Sequence, residues 1–151
     1  MTLVAHSLIA ASIVSKISNP VLGIPLVLVS HFVADKVPHW DVMTQKGKSK
    51  YRISRDTLID IILGFISAGL FFVFKQRIDP VYFFLAIFVS QLPDLLEAPY
   101  VIPQLKNPVS TLVYKFQHYV HDIWFDSRLE APWGIVTQVI TVGVFLLWAI
   151  V

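Results

Sequence analysis

The sequence predicts an all-α membrane protein: a polytopic helical bundle of about five transmembrane helices plus one amphipathic interfacial helix, forming one domain over residues 1–151. Three observations carry this. Hydrophobic residues make up 56% of the chain and charged ones 15%, with a mean hydropathy of +0.68. A soluble domain has about 45–50% and about 25%. Apolar runs recur five times between short polar or proline-marked breaks. The densest basic cluster falls in one loop, as the positive-inside rule expects of a cytoplasmic connection.

The first run is 3–17, with His6 near its start and Ala5, Ser7, Ala10, Ala11 and Ser12 small enough for close helix packing. No basic segment precedes it, so it reads as a retained span and not as a cleaved leader. Asn19-Pro20 breaks the chain, and 21–37 is the second run. Residues 42–56 are polar and carry Lys46, Lys48, Lys50, Arg52 and Arg55. Asp56-Thr57 offers an N-cap for the third run, 57–74, with Asp60 one turn inside it.

Residues 75–79 make a turn, and Pro80 suits the first position of the next helix. The fourth run, 81–96, ends in Leu92-Pro93-Asp94, after which Pro99, Pro103 and Pro108 mark a loop. Over 108–126, Val109, Leu112, Val113, Phe116, Val120 and Ile123 recur on one side of a helix. Lys115, His118 and Asp122 recur on the other, and flanking Tyr and Trp suit an interfacial position. Ala131-Pro132-Trp133 opens the last run, which continues to 151.

With the basic loop inside, alternate threading places the N-terminus in the cytoplasm of a bacterial-type inner membrane. Lys75 and Arg77 then fall outside, against the rule. His6, His31, Asp35, Asp60, Asp94, His118, His121 and Asp122 all come to the cytoplasmic end, from five segments. The last run carries neither His nor carboxylate and reads as a packing helix. A charge inside a span costs about 2.5–3.5 kcal/mol on insertion scales and is tolerated when paired or wetted.

Carboxylates among neutral imidazoles call for a cation. His31-x3-Asp35 and His118-x3-Asp122 each put two ligands on one helical face. Together with His6, Asp60 and Asp94 they form a candidate site for one or two divalent transition ions. Nitrogen and oxygen donors without sulfur suit Zn²⁺ first, with Mn²⁺ and Fe²⁺ as alternatives. Carboxylates bridging ions about 3.5–4 Å apart would make a two-metal hydrolytic site. Its natural substrate at a membrane surface is a lipid head group, and His121 and His39 are candidate general acids for the leaving group. Taken singly, any of these residues reads as well as a helix cap or an interfacial polar group.

The absence of cysteine excludes disulfides, thiolate zinc sites and Cys nucleophiles. A net charge of +2, with no basic patch interleaved by stacking aromatics, gives no ground for nucleic acid as a partner. There is no His-Glu-x-x-His of an intramembrane zinc protease and no Gly-x-Ser-x-Gly elbow. A metal or proton transporter and a non-catalytic assembly protein remain as alternatives. A transporter would keep its ligands near the bilayer midplane, and these fall at one end.

His6-Ser7-Leu8, Ser30-His31 through Asp35 with Pro38, and Leu92-Pro93-Asp94 together resemble motifs of the bacterial inner-membrane-bound metal-dependent hydrolases. The chain lacks the His-Arg-Gly element associated with that family, and its Pro-Asp run follows the Ser-His run. The His31/Asp35 and His118/Asp122 pairs are also similar to the repeated His-x3-acid pairs of zinc-dependent phospholipase C. The resemblance implies a helical membrane enzyme with a metal-dependent hydrolytic site.

Overall fold

A computed structural model describes residues 1–40, 48–75, 78–102, 104–123 and 129–151. Asp41, the first part of the basic loop (42–47) with Lys46, Arg77 and the end of the predicted interfacial helix (124–126) lie outside them. The described residues form six helices and no strand: α1 (Leu3–Lys16), α2 (Pro20–Asp35), α3 (Lys50–Phe74), α4 (Pro80–Val101), α5 (Pro108–Asp122) and α6 (Trp133–Ile150).

Helix α1 is the axis of the bundle. Thr2 caps it by accepting from the Ala5 N–H at 3.3 Å, and α2, α3, α4 and α6 pack around it. Its small residues Ala5, Ser7, Ala10, Ala11 and Ser12 are all buried, which lets four neighbours approach one helix. On α3, Gly64 sits where a Cβ would come within 2.8 Å of both Ser7 Oγ and Gln91 Nε2. Those two side chains are themselves hydrogen-bonded at 2.8 Å.

Three helices, α3, α4 and α6, are long and apolar enough to cross a membrane, fewer than the five expected. Helices α1 and α2 are apolar but have 14 and 16 residues. At 1.5 Å per residue that is about 21–24 Å, short of the roughly 30 Å hydrocarbon layer. Helix α1 is surrounded by α2, α3, α4 and α6 and is buried over most of its surface.

Two boundaries differ from the sequence expectation. Ser49, accepting from Arg52 N–H at 3.3 Å, caps α3 seven residues before the expected start. Asp56 is therefore inside the helix, paired with Lys48 at 3.0 Å and Arg55 at 2.7 Å. Helix α4 opens as expected, with Asp79 capping Tyr82 N at 2.8 Å and Pro80 in the first turn. It then runs through Pro93 and Pro99 to Val101 instead of stopping before them. Proline inside an apolar helix is tolerated where neighbouring groups bond the backbone it disturbs, and the Ser90 carbonyl accepts from a histidine of α2.

The distribution of polarity is inverted relative to a soluble domain. His6, Ser7, Ser12, His31, Asp35, Ser90 and Gln91 are buried, while Leu58, Ile62, Ile66, Leu70 and Val73 line the outside of α3. Val139, Ile140, Val144 and Leu147 do the same on α6. Apolar surface of this extent suits contact with lipid. Helix α5 packs mainly on α4 and turns Ser110 and Gln117 inward. Its Val109, Leu112, Phe116 and Tyr119 point outward, as an interfacial helix requires.

Asp60 belongs to this scaffold. Its Oδ2 accepts from Leu3 N–H at 2.8 Å and its Oδ1 from Val4 N–H at 3.2 Å, capping the start of α1 from across the bundle. Replacing Asp60 with Ala is expected to lower unfolding stability by about 1–2 kcal/mol, the range for loss of a helix cap. Thermal melts in detergent read that loss, and metal content is expected to stay unchanged.

Candidate metal centre

The site is built where α2 ends. The Asn19 cap and Pro20 start the helix so that His31 and Asp35, four residues apart, share the face turned toward α1 and α4. The helix stops at Asp35, and Pro38 cannot continue it. The chain from Pro38 to Trp40 is then laced to α6 and the segment before it. Trp40 N–H donates to Gly134 O at 3.2 Å, and Leu129 N–H to His39 O at 2.7 Å. Thr137 Oγ1 donates to Pro38 O and Gln138 Nε2 to Trp40 O.

Four imidazoles from four segments approach Asp35, each through Nε2. His6 of α1 is 3.2 Å from Oδ1 and His31 is 3.3 Å from Oδ2. His39, after α2, is 3.9 Å from Oδ1, and His121, in the last turn of α5, is 3.7 Å from Oδ2. Asp94 of α4 stands 3.7 Å from His31 Nε2. The His6 and His31 rings stack at 4.0 Å. The Met1 amino group also pairs with Asp35.

Hydrogen bonds on the far side of two rings fix their tautomers. His31 Nδ1 is 2.8 Å from Ser90 O, and His39 Nδ1 is 2.7 Å from Val37 O. A carbonyl oxygen only accepts, so in each neutral ring Nδ1 carries the proton and Nε2 carries the lone pair. His31 Nε2 thus points a lone pair at carboxylate oxygens of Asp35 and Asp94. It is buried with no hydrogen-bond partner, as are both ring nitrogens of His6. Acceptors facing acceptors repel unless a cation or proton lies between them; the Met1 ammonium meets Oδ1 of Asp35, and a further cation would serve His31 Nε2, Asp35 Oδ2 and Asp94. A histidine whose other nitrogen donates to a backbone carbonyl is also the usual geometry of a metal ligand.

These residues fit a divalent ion. Two groups can hold one: His6, His31 and Asp94, and Asp35, His39 and His121, with the ligand atoms of each within 4.8 Å of one another. Asp35, His6, His31 and His39 are at most 3% exposed at their side chains. Asp94 and His121 are 19% and 16% exposed, so the cluster meets its surroundings through them.

Of the ligands expected from sequence, His6, His31, Asp35 and Asp94 come together here. Asp60, His118 and Asp122 lie outside both groups. Asp60 caps α1, as described. His118 donates through Nδ1 toward Tyr114 O at 3.1 Å and lies 3.9 Å from Glu97. It faces about 60° away from His121 around α5, three residues at about 100° each. His39 and His121, expected as general acids, lie with Asp35 in the second group that could hold an ion. The sequence held a signal for His39, because His31-x3-Asp35-x3-His39 repeats one spacing across the helix end. No pattern pointed to Ser90, Gly134 or Gln138 as supports.

Fold and site together define an all-helical protein with membrane-length apolar helices and a buried His/Asp cluster able to bind metal at one end of the bundle. No protein-family model, curated protein or solved structure matches the chain.

Proposed function

We propose that this protein is a membrane-embedded metal-dependent hydrolase. It acts at the cytoplasmic face of a bacterial-type inner membrane on a phosphate ester or acyl bond of a lipid, with Zn²⁺ as its first-choice ion. The observation that carries this reading is the ring geometry at Asp35. Nε2 of His31, buried and with its proton placed on the other nitrogen by Ser90 O, faces the carboxylates of buried Asp35 and partly exposed Asp94.

A divalent ion held there supplies Lewis acidity, which makes water nucleophilic near neutral pH and draws charge from a phosphoryl or acyl oxygen. The chain's own residues do the rest. Ser90 O and Val37 O keep Nε2 of His31 and His39 aimed inward. The apolar bundle around His6 and Asp35 excludes bulk water. His121 and Asp94 lie at the partly exposed edge, where a head group would enter while its tails stay beside the outward apolar faces. The placement of all six groups at one end of the bundle supports an enzyme over an ion pathway, whose ligands belong near the midplane.

The test is hydrolysis of short-chain phospholipids and lipid phosphates in mixed micelles. Chelator-stripped protein should be inactive, and Zn²⁺ or Mn²⁺ should restore turnover by at least about a hundredfold. Turnover that survives metal removal, or an Asp35→Asn variant as active as the parent, would rule the reading out.

A further inference from the structure

We infer that the cluster holds two ions of unequal lability that share Asp35: a resident ion on His6, His31 and Asp94, and an exchangeable ion on His39 and His121. This rests on the metal reading of the site and not on the identity of any substrate.

Asp35 is within reach of both sets. Its oxygens lie 3.2 and 3.3 Å from Nε2 of His6 and His31, and 3.9 and 3.7 Å from Nε2 of His39 and His121. Oδ1 faces His6 and His39 and Oδ2 faces His31 and His121, so each oxygen stands between one histidine of each set and the carboxylate could be shared by two ions.

The two sets differ in how their ligands are held. His6, His31 and Asp94 come from α1, α2 and α4, the helices packed together in the core. The His6 ring is stacked on His31, and His31 is pinned by Ser90 O. The two rings are in place before an ion arrives, so little of their ordering is lost on binding.

The second set draws its histidines from outside the core helices: His39 is buried and held by Val37 O, and His121 is at the partly exposed edge. His39 sits in the link after α2, and His121 in the last turn of α5, a helix that packs mainly on α4. At the end of α5, Lys36 Nζ donates to His121 O at 3.0 Å and to Ile123 O, joining that helix end to the end of α2. A lysine on the last carbonyls of a helix also complements its dipole. Movement of that helix end carries away a ligand of the second ion and leaves the first set intact. Lys36 is thus a positioning residue for the exchangeable ion.

The test is a Zn²⁺ titration of chelator-stripped, detergent-solubilised full-length protein against a competing chromophoric chelator, with bound metal counted by elemental analysis. Two ions should bind in separate steps, with dissociation constants at least tenfold apart, and extended dialysis should leave one. His121→Ala, at the partly exposed edge, should abolish the weaker step and keep the tighter one. Lys36→Met should weaken only the weaker step, by about tenfold, the lower end for loss of a supporting contact, and Lys36→Arg should restore it. A single step of one ion, two ions of equal affinity, or loss of the tighter step in His121→Ala would each overturn the inference. Hydrolysis measured on the same samples separates the two claims. Two-step binding without turnover removes the hydrolase and leaves this inference, while turnover with one ion does the reverse.

Discussion

Replacing Asp35 with Asn should abolish metal-dependent stabilisation altogether. The amide has nearly the same shape but no charge, and Asp35 is the one side chain that Nε2 of all four clustered histidines approaches. Removing groups that merely support a ligand costs about 10–100-fold in metal affinity. Losing a shared ligand should therefore weaken binding by more than about a hundredfold. In the parent protein, an ion at about a hundred times its dissociation constant adds about 2.7 kcal/mol to the folded state. For a chain of this size that is about 5–10 °C in Tm. The parent should lose that increment on chelation, and Asp35→Asn should melt at the same temperature with and without chelator. A chelator-sensitive Tm in the variant would place the ion elsewhere.

The second large effect is expected at Gly134, far from Asp35 in sequence. A Cβ there would lie 2.3 Å from Leu129 O, 2.5 Å from Trp40 N and 2.9 Å from the carbonyl carbon of His39. All three are backbone atoms, so the segment 38–40 must shift as a unit. Gly134→Ala is expected to cost about 1–3 kcal/mol, the range for overpacking, and to lower occupancy at His39. Gly143 lies on the same helix with nothing within 4 Å of its Cβ position. There Ala should stabilise by about 0.5–1 kcal/mol through helix propensity alone. Thermal melts and metal titrations of the two variants read both effects. Equal outcomes would mean that the approach of His39 to α6 does not support the site.

How much was legible in the sequence can be followed residue by residue. The helices were legible, because apolar runs and markers such as Asn19-Pro20 and Asp79-Pro80 act locally. The meeting of His6, His31, Asp35 and Asp94 was legible too, since alternating helices bring those run ends to one side. The rotation of α5 was not. A sequence presents His118/Asp122 and His121 equally, and only packing on α4 turns Ser110, Gln117 and His121 inward. Nor was the role of Asp60, whose partners Leu3 and Val4 are reached through space from another helix. The first run, 3–17, reads in the sequence as a retained span, whereas α1 is the 14-residue centre of the bundle. Its burial depends on four neighbours, and no single stretch encodes that.

The central claim is that the cluster around Asp35 binds a divalent transition metal, and the most direct test is elemental analysis of protein purified from membranes without metal-affinity resin. The account predicts at least one Zn, Mn or Fe per chain in the parent and none in Asp35→Asn. Parent protein that is folded yet free of transition metal, or an Asp35→Asn variant with the parent's metal content, would contradict it.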